Sequence, residues 1–418
     1  MSFLKKEQKK SNKFKILLII IIQPLSKHLI KQYGVKTKYK NWKIIYWNIL
    51  SFLKKENKSN FSRRGHRLKK HKNFKNIESF SSLFKEYKKL PEKFFFWSNV
   101  PGYFFTAFLE KFLKLSGGTK VLIDYGTVID FKVKYLNVFK FLIKDEKLYL
   151  IKKIIFFILG KIKNIFTLRI LYTKPEILFA GNYRTYLEFI KKYKGKKVYK
   201  INSPDFDTFL KIKKRKKKKK NIIFLDQDRD YNFDYQMRDF LNTKFEVKDY
   251  WNNLNNIFKK ISKIFPKNNF LIAAHHRKNK NKLPIKENFV FDKTSKLIKD
   301  AKLVLTHNSM AISFAVLFRK PLVLINFETF NLQAFEITET LKSYSKVLGA
   351  KVINIKKNSK SNFDKLNFKS GLKVNNKKYE KYENFYIGFP GLKSQGNMWK
   401  KILISLENEY ENYCKIRY

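Results

Sequence analysis

The chain has 418 residues, enough for two ordinary domains that each bury a core. Its 44% hydrophobic and 17% aromatic content excludes a disordered protein, although 30% of residues are charged. Lys and Arg number 92 against 33 acids, so the formal net charge is +59, a surface that attracts nucleic acid, anionic lipid or phosphorylated small molecules in a salt-dependent way. Lys, Asn, Ile and Phe are abundant while Gly (14) and Pro (9) are scarce, the bias that A/T-rich codons produce, so the charge alone names no partner. The single cysteine, Cys414, excludes an intramolecular disulfide and a cysteine-built metal site, and it fits a reducing compartment such as the cytoplasm.

In chain order, residues 1–13 form a polar, lysine-rich tail. Residues 16–22 are an apolar run that lacks a small-residue cleavage site and leads into Gln23-Pro24, and 14–22 reads as one element. They predict a buried parallel strand rather than a signal segment. Pro24 and Ser26 open a turn into a short helix ending near Gln32, with Gly34 placed to cap it. Residues 43–47 predict a second strand, giving one βαβ unit. Residues 48–93 show no clear pattern, and their basic cluster at 63–72 reads as an exposed loop. Short strands are expected at 120–124, 176–180 and 197–201, with a helix at 182–193 and a long helical stretch at 135–171. Within the latter, 151–172 carries too many cations to span a bilayer and suits a basic helix packed on its domain. The first domain, 14–210, is expected to close near Leu210. Residues 211–220 hold nine cations in ten positions, the composition of a solvated linker.

The second domain, 221–395, alternates cleanly. Strands are expected at 221–225, 270–274, 302–305 and 321–325. One helix carries Leu254, Ile257, Phe258, Ile261, Ile264 and Phe265 on a single face and stops at Pro266. Another, 310–318, is apolar all round and is capped by Ser309 or Asn308. Within 396–418, residues 398–410 are helical and placed to pack back across the domain boundary. The fold class is therefore α/β, two Rossmann-like domains facing a cleft.

In open α/β sheets ligands bind beyond the carboxyl ends of the strands. In the second domain those ends carry Asp226, Gln227 and Asp228, then His275-His276-Arg277, then Thr306-His307-Asn308-Ser309, then Asn326 and Glu328. Three of the six histidines fall at two of them. A phosphorylated ligand suits this set. Ser309 and the amides of the following helix can hold an anionic oxygen, Arg277 can grip it bidentately, and His275, His276 or His307 can donate to it. Glu328 can accept from sugar or ribose hydroxyls. Each residue alone also has a plainer role, as a helix cap or a satisfied core histidine.

The run THNSMAISFAVLFRKPLVLINFE resembles the sugar-nucleotide segment of GT-B glycosyltransferases and UDP-N-acetylglucosamine 2-epimerases. More narrowly, FKILLIIIIQPLSKHLIKQYGVKTKYKNWKIIYWNI, NIIFLDQDRDYNFDY and FLIAAHHRKN are similar to segments of bacterial proteins of surface-polysaccharide (capsule, O-antigen) biosynthesis. Asn232 stands where that group carries His, and His276 where it carries Pro, so the resemblance assigns no base at Asn232.

What the resemblance implies is a glycosyltransferase. Its nucleotide-sugar donor would lie on Arg277, His276, His307, Asn308, Ser309 and Glu328, and its glycan or lipid-linked acceptor near Gln23 and Ser26. Asp226, Asp228 and His275 are the candidate bases, and the leaving diphosphate is stabilised by fixed donors, with no metal or other cofactor. The basic surface would help hold the protein near an anionic inner membrane. A sugar-nucleotide epimerase of the same fold is the second enzymatic reading. A non-catalytic polysaccharide-assembly factor is a third. Nucleic-acid binding is disfavoured, because no binding module accompanies the cations.

Overall fold

Six buried residues in succession make β1 (Lys15–Ile21), a strand covered on both faces as parallel strands require. A computed structural model of the chain describes residues 14–22, 30, 33–34, 36–50, 71–100, 104–126, 171–212, 221–227, 247–275, 278, 283, 288–328, 332–356, 373–389, 392 and 397–415. After β1 come β2 (Trp42–Asn48), β3 (Phe74–Asn76), α1 (Phe80–Tyr87), β4 (Phe94–Ser98), α2 (Phe104–Leu115), β5 (Gly118–Asp124), β6 (Ile177–Ala180), α3 (Tyr183–Lys192) and β7 (Lys197–Lys200). They form one sheet in the order β3-β2-β1-β4-β5-β6-β7, with every pairing parallel. Local chemistry marks the helix starts. Ser79 and Ser82 form a reciprocal capping box for α1, and the Asn182 side chain accepts from the Thr185 amide at the start of α3.

A second sheet follows. Its elements are α4 (Pro204–Lys211), β8 (Asn221–Leu225), α5 (Val247–Ile264), β9 (Asn269–Ala273), β10 (Phe289–Val290), α6 (Thr294–Lys299), β11 (Ala301–Thr306), α7 (Ile312–Leu317), β12 (Leu322–Glu328), α8 (Leu332–Leu348), β13 (Lys351–Lys356) and α9 (Asn376–Tyr382). A π-helical turn, Glu383–Ile387, continues α9. The order is β10-β9-β8-β11-β12-β13, again wholly parallel. Alternation along the strands divides the core. Ile222, Phe224, Leu303 and Leu305 pack under α5, while Ile223, Leu225 and Val304 pack against α4, α7, α8 and α9 on the other face.

The chain divides into two compact units, 1–125 with 155–202 and 393–418, and 126–154 with 203–392. The break thus falls between Asn202 and Ser203, not near Leu210. The reason is α4. Ser203 caps it and Pro204 occupies its first turn, Phe206 is buried in the second core, and Asp205 accepts a hydrogen bond from the Ser313 hydroxyl. Of the basic linker, 213–220 lies outside the described residues, as do most of the expected helix at 135–171 and the loop at 51–70.

The last helix, α10 (Met398–Lys415), returns to the first unit as its sequence position suggested. Met398, Trp399, Ile402, Leu403 and Leu406 complete the core that holds Leu17, Ile19, Trp42 and Trp97. Gly34 takes φ +64, and a Cβ there would lie 2.3 Å from the Trp399 ring, so no larger residue fits beneath α10. Glu407 accepts from the Lys15 ammonium at 2.7 Å and from the Trp42 indole at 2.6 Å, which ties α10 to the amino ends of β1 and β2. Glu409 takes Lys197 and Tyr199 at β7. No helix among the described residues is long and apolar enough to cross a membrane.

Candidate functional site

The strand order of the second sheet reverses between β8 and β11. In sheets of this kind the crevice at that reversal, outside the carboxyl ends, is where ligands lie. Thr306 is in register with Leu225, so residues 226–227 and 307–309 flank the crevice side by side. The side chains there fall into two groups.

In the first group, on the α5 face, the ionisable side chains are engaged within the protein, although the buried Trp251 Nε1 beside them has no hydrogen-bond partner among the described residues. Asp226 is closed to solvent. Its Oδ2 accepts from the His275 amide at 3.4 Å and faces the Lys278 ammonium at 3.7 Å, with side-chain exposures of 1% for Lys278 and 0% for Asp226. The Lys278 ammonium also lies 4.8 Å from the centre of the Trp251 ring. His307 is fully buried. Its Nδ1 lies 2.5 Å from the Ile325 carbonyl and its Nε2 3.0 Å from the Tyr250 hydroxyl. A carbonyl only accepts, so Nδ1 carries the proton, and in the neutral ring Nε2 accepts from Tyr250. Phe224 meets the same ring edge-on at 86°.

In this arrangement Asp226 is an internal ion-pair partner, and His307 has the plainer role of a satisfied core histidine. Asn326 is engaged as well: its amide donates to Asn354 Oδ1 and accepts from the Thr338 hydroxyl.

In the second group the side-chain oxygens are unspent. Gln227 Oε1, Thr306 Oγ1 and Asn308 Oδ1 are buried and have no hydrogen-bond partner among the described residues. A buried oxygen in that state costs about 1–3 kcal/mol unless something donates to it, and such atoms are uncommon in folded proteins. Other buried side-chain atoms, among them those of Asn73, Thr106 and Asn202, share that state; these three stand at the adjoining ends of β8 and β11. Ser309 closes the group. Its Oγ accepts from the Ala311 amide at 3.2 Å and its carbonyl from the Ile312 amide at 3.1 Å. The helix it precedes is shorter than expected, Ile312–Leu317, with Ala311 at its start and no side-chain cap, because the first turn, 309–311, is spent on the Ser309 turn. The phosphate-holding helix start read from the sequence therefore reduces to a single turn.

Asp228, His276, Arg277, Gln23 and Ser26 lie outside the described residues, as does Asn232. Glu328 ends β12 in register with Lys356, and its side chain is outside the description too. His275 is half-buried beside Asp226. Lys278, Gln227 and Thr306 were not singled out as functional from sequence. The signal that finds them is parity. Positions 222, 224 and 226 share one face and 223, 225 and 227 the other, which separates Asp226 from Gln227 and His307 from Thr306.

Two wholly parallel sheets, each reversing beside its first strand, define the pair of Rossmann-like units that GT-B proteins carry. Neither a protein-family model nor a curated protein matches the sequence. Solved structures do. A histidine-to-asparagine variant of the wall teichoic acid polymerase TagF soaked with CDPG matches at TM-score 0.51 and 13% identity, over 99% of this chain and 92% of that one. The same variant without the compound matches at 0.50 and 11%, over 100% and 92%. The UDP-GlcNAc 2-epimerase from Methanocaldococcus jannaschii, in complex with UDP-GlcNAc and UDP, matches at 0.43 and 14%, over 94% and 100%, too loose a fit to add to the argument. At these identities the likeness establishes the GT-B fold.

Proposed function

We propose that this protein is a GT-B glycosyltransferase of bacterial surface-polysaccharide assembly, passing a sugar from a nucleotide-sugar donor to a glycan or lipid-linked acceptor. The observation that carries the donor site is the set of unspent oxygens at the reversal of the second sheet, Gln227, Thr306 and Asn308. They accept from hydroxyl or amino groups, which sugars, riboses and bases present in pairs. In this reading Ser309, Arg277, His276 and Glu328 take the diphosphate and the ribose. His275 and Asp228 remain the candidates to remove the acceptor proton, with Gln23 and Ser26 on the acceptor side.

A thermal-shift screen against UDP, GDP, CMP, CDP and their sugars tests the donor site. The likeness to TagF makes CDP-linked donors the first to try. Stabilisation by one nucleotide, lost in Arg277→Ala and in Asn308→Leu, is the expected result. No shift with any nucleotide would sink the donor-site claim while leaving the fold intact.

A further inference from the structure

Helix α3 is apolar on both sides. Thr185 and Phe189 are buried against the sheet. Its outward face carries Tyr183, Leu187 and Ile190, spaced i, i+4, i+7 and exposed at 37%, 42% and 46%. Lys191, Lys192, Lys194 and Lys196 follow, all exposed. From Tyr183 to Lys200 there are seven cations and one acid, and that acid, Glu188, is bonded to Arg184. A soluble surface rarely keeps a continuous aliphatic stripe in water, and a stripe rimmed by lysines is the pattern of helices that lie in a lipid interface.

The same side of the first sheet carries more of this. The connections β3-α1-β4, β4-α2-β5 and β6-α3-β7 all advance in one direction along the sheet, so right-handed crossovers place α1, α2 and α3 on one face. On α1 and α2, Phe80, Phe84 and Phe108 are exposed at 53%, 48% and 41%.

We infer that this helical face of the first unit docks on a bilayer carrying anionic headgroups. Leu187, Ile190 and the phenylalanines enter the interface, and the lysines after α3 meet lipid phosphate. Charge selects the occupant. A second copy would bring the same lysines against one another, whereas anionic lipid is complementary to them. Aliphatic Leu187 and Ile190 fit acyl chains. The inference needs no nucleotide, so it stands or falls apart from the donor site.

A chain of net charge +59 binds any anionic vesicle to some extent, so the test must read insertion at this face. In the full chain with Cys414→Ser, an environment-sensitive dye is placed at Ile190→Cys or, as a control, at Lys342→Cys on α8 of the second unit. Mixed phosphatidylcholine–phosphatidylglycerol vesicles are expected to shift the emission of the first dye to the blue and leave the second unchanged. In sedimentation with the same vesicles at raised salt, where screening removes most of the charge term, Leu187→Glu/Ile190→Glu should partition roughly tenfold less than the parent. Circular dichroism checks that this variant is folded. The inference is overturned if both dyes or neither respond, or if the variant partitions as the parent does. Loss of single-stranded oligonucleotide binding in the variant, with vesicle binding unchanged, would also overturn it and assign the face to nucleic acid.

Discussion

Two groups of polar residues meet the crevice of the second sheet and differ in how far their bonding capacity is used. Under α5, Asp226 pairs with Lys278, and His307 bonds the Tyr250 hydroxyl and the Ile325 carbonyl. At the ends of β8 and β11, Gln227 Oε1, Thr306 Oγ1 and Asn308 Oδ1 are buried and without a hydrogen-bond partner among the described residues. The charged residues, which look catalytic in a sequence, hold the strand ends together. The neutral ones, which look like filler, have bonding capacity left for a ligand. Residue type alone does not locate a binding group here; what its partners have already used does.

The substitutions that test that contrast, with one control, follow in decreasing order of their expected effect on stability. Lys278→Ala leaves a buried carboxylate without its cation and should cost about 3–5 kcal/mol in denaturant unfolding. The double change Asp226→Leu/Lys278→Met should recover most of that. If Lys278→Ala proved stable yet lost nucleotide binding, the closed face would be part of the site and the contrast would fail. His307→Ala strands the Tyr250 hydroxyl and the Ile325 carbonyl, for an expected loss of about 2–4 kcal/mol by the same measurement.

Glu407→Gln supplies a control far from the crevice, with a cost of about 1.5–3 kcal/mol at neutral pH and no effect on nucleotide binding. Burial alone would push the Glu407 carboxyl up, but hydrogen bonds from Lys15 and Trp42 and the pull of Lys40 outweigh it and hold the group below the ordinary carboxylate range. Its contribution is therefore complete above that range and is lost as the pH falls through the folded value. The gap between parent and variant should close in acid. Smallest of all, Asn308→Leu and Gln227→Leu should change stability by no more than roughly 0.5 kcal/mol, because no existing bond is broken. Either should nevertheless weaken nucleotide binding by about tenfold or more in calorimetry.

The sheets were legible because their strands are buried on both faces. Continuous apolar runs such as 16–22, 222–225 and 303–305 stand out from a lysine-rich background, and the observed strands sit within a few residues of them. What escaped did so for physical reasons. β4, Phe94–Ser98, is three phenylalanines and a tryptophan without alternation, directly after a stretch that showed no period. β13, Lys351–Lys356, is an edge strand whose lysines and asparagine dilute the apolar signal. Helix α4 sits before the basic run and reads as the end of one domain, although Phe206 belongs to the core of the next. At the site, the strand ends read from sequence are where β8, β9, β11 and β12 stop, but the internal partners of Asp226 and His307 were not legible. A core histidine and a ligand histidine have the same neighbours in sequence, and only the Tyr250 hydroxyl and Ile325 carbonyl, 57 and 18 positions away, distinguish them.

The return of α10 to the first unit has a bearing on how the chain is made. A ribosome delivers the first unit's strands early but its closing helix only after the whole second unit has been synthesised. The usual order, in which amino-terminal domains finish first, is thereby inverted. Until 398–415 emerges, Trp97, Trp42 and the face of β1 lack their cover, so the nascent first half is the stage at which a chaperone has most to hold.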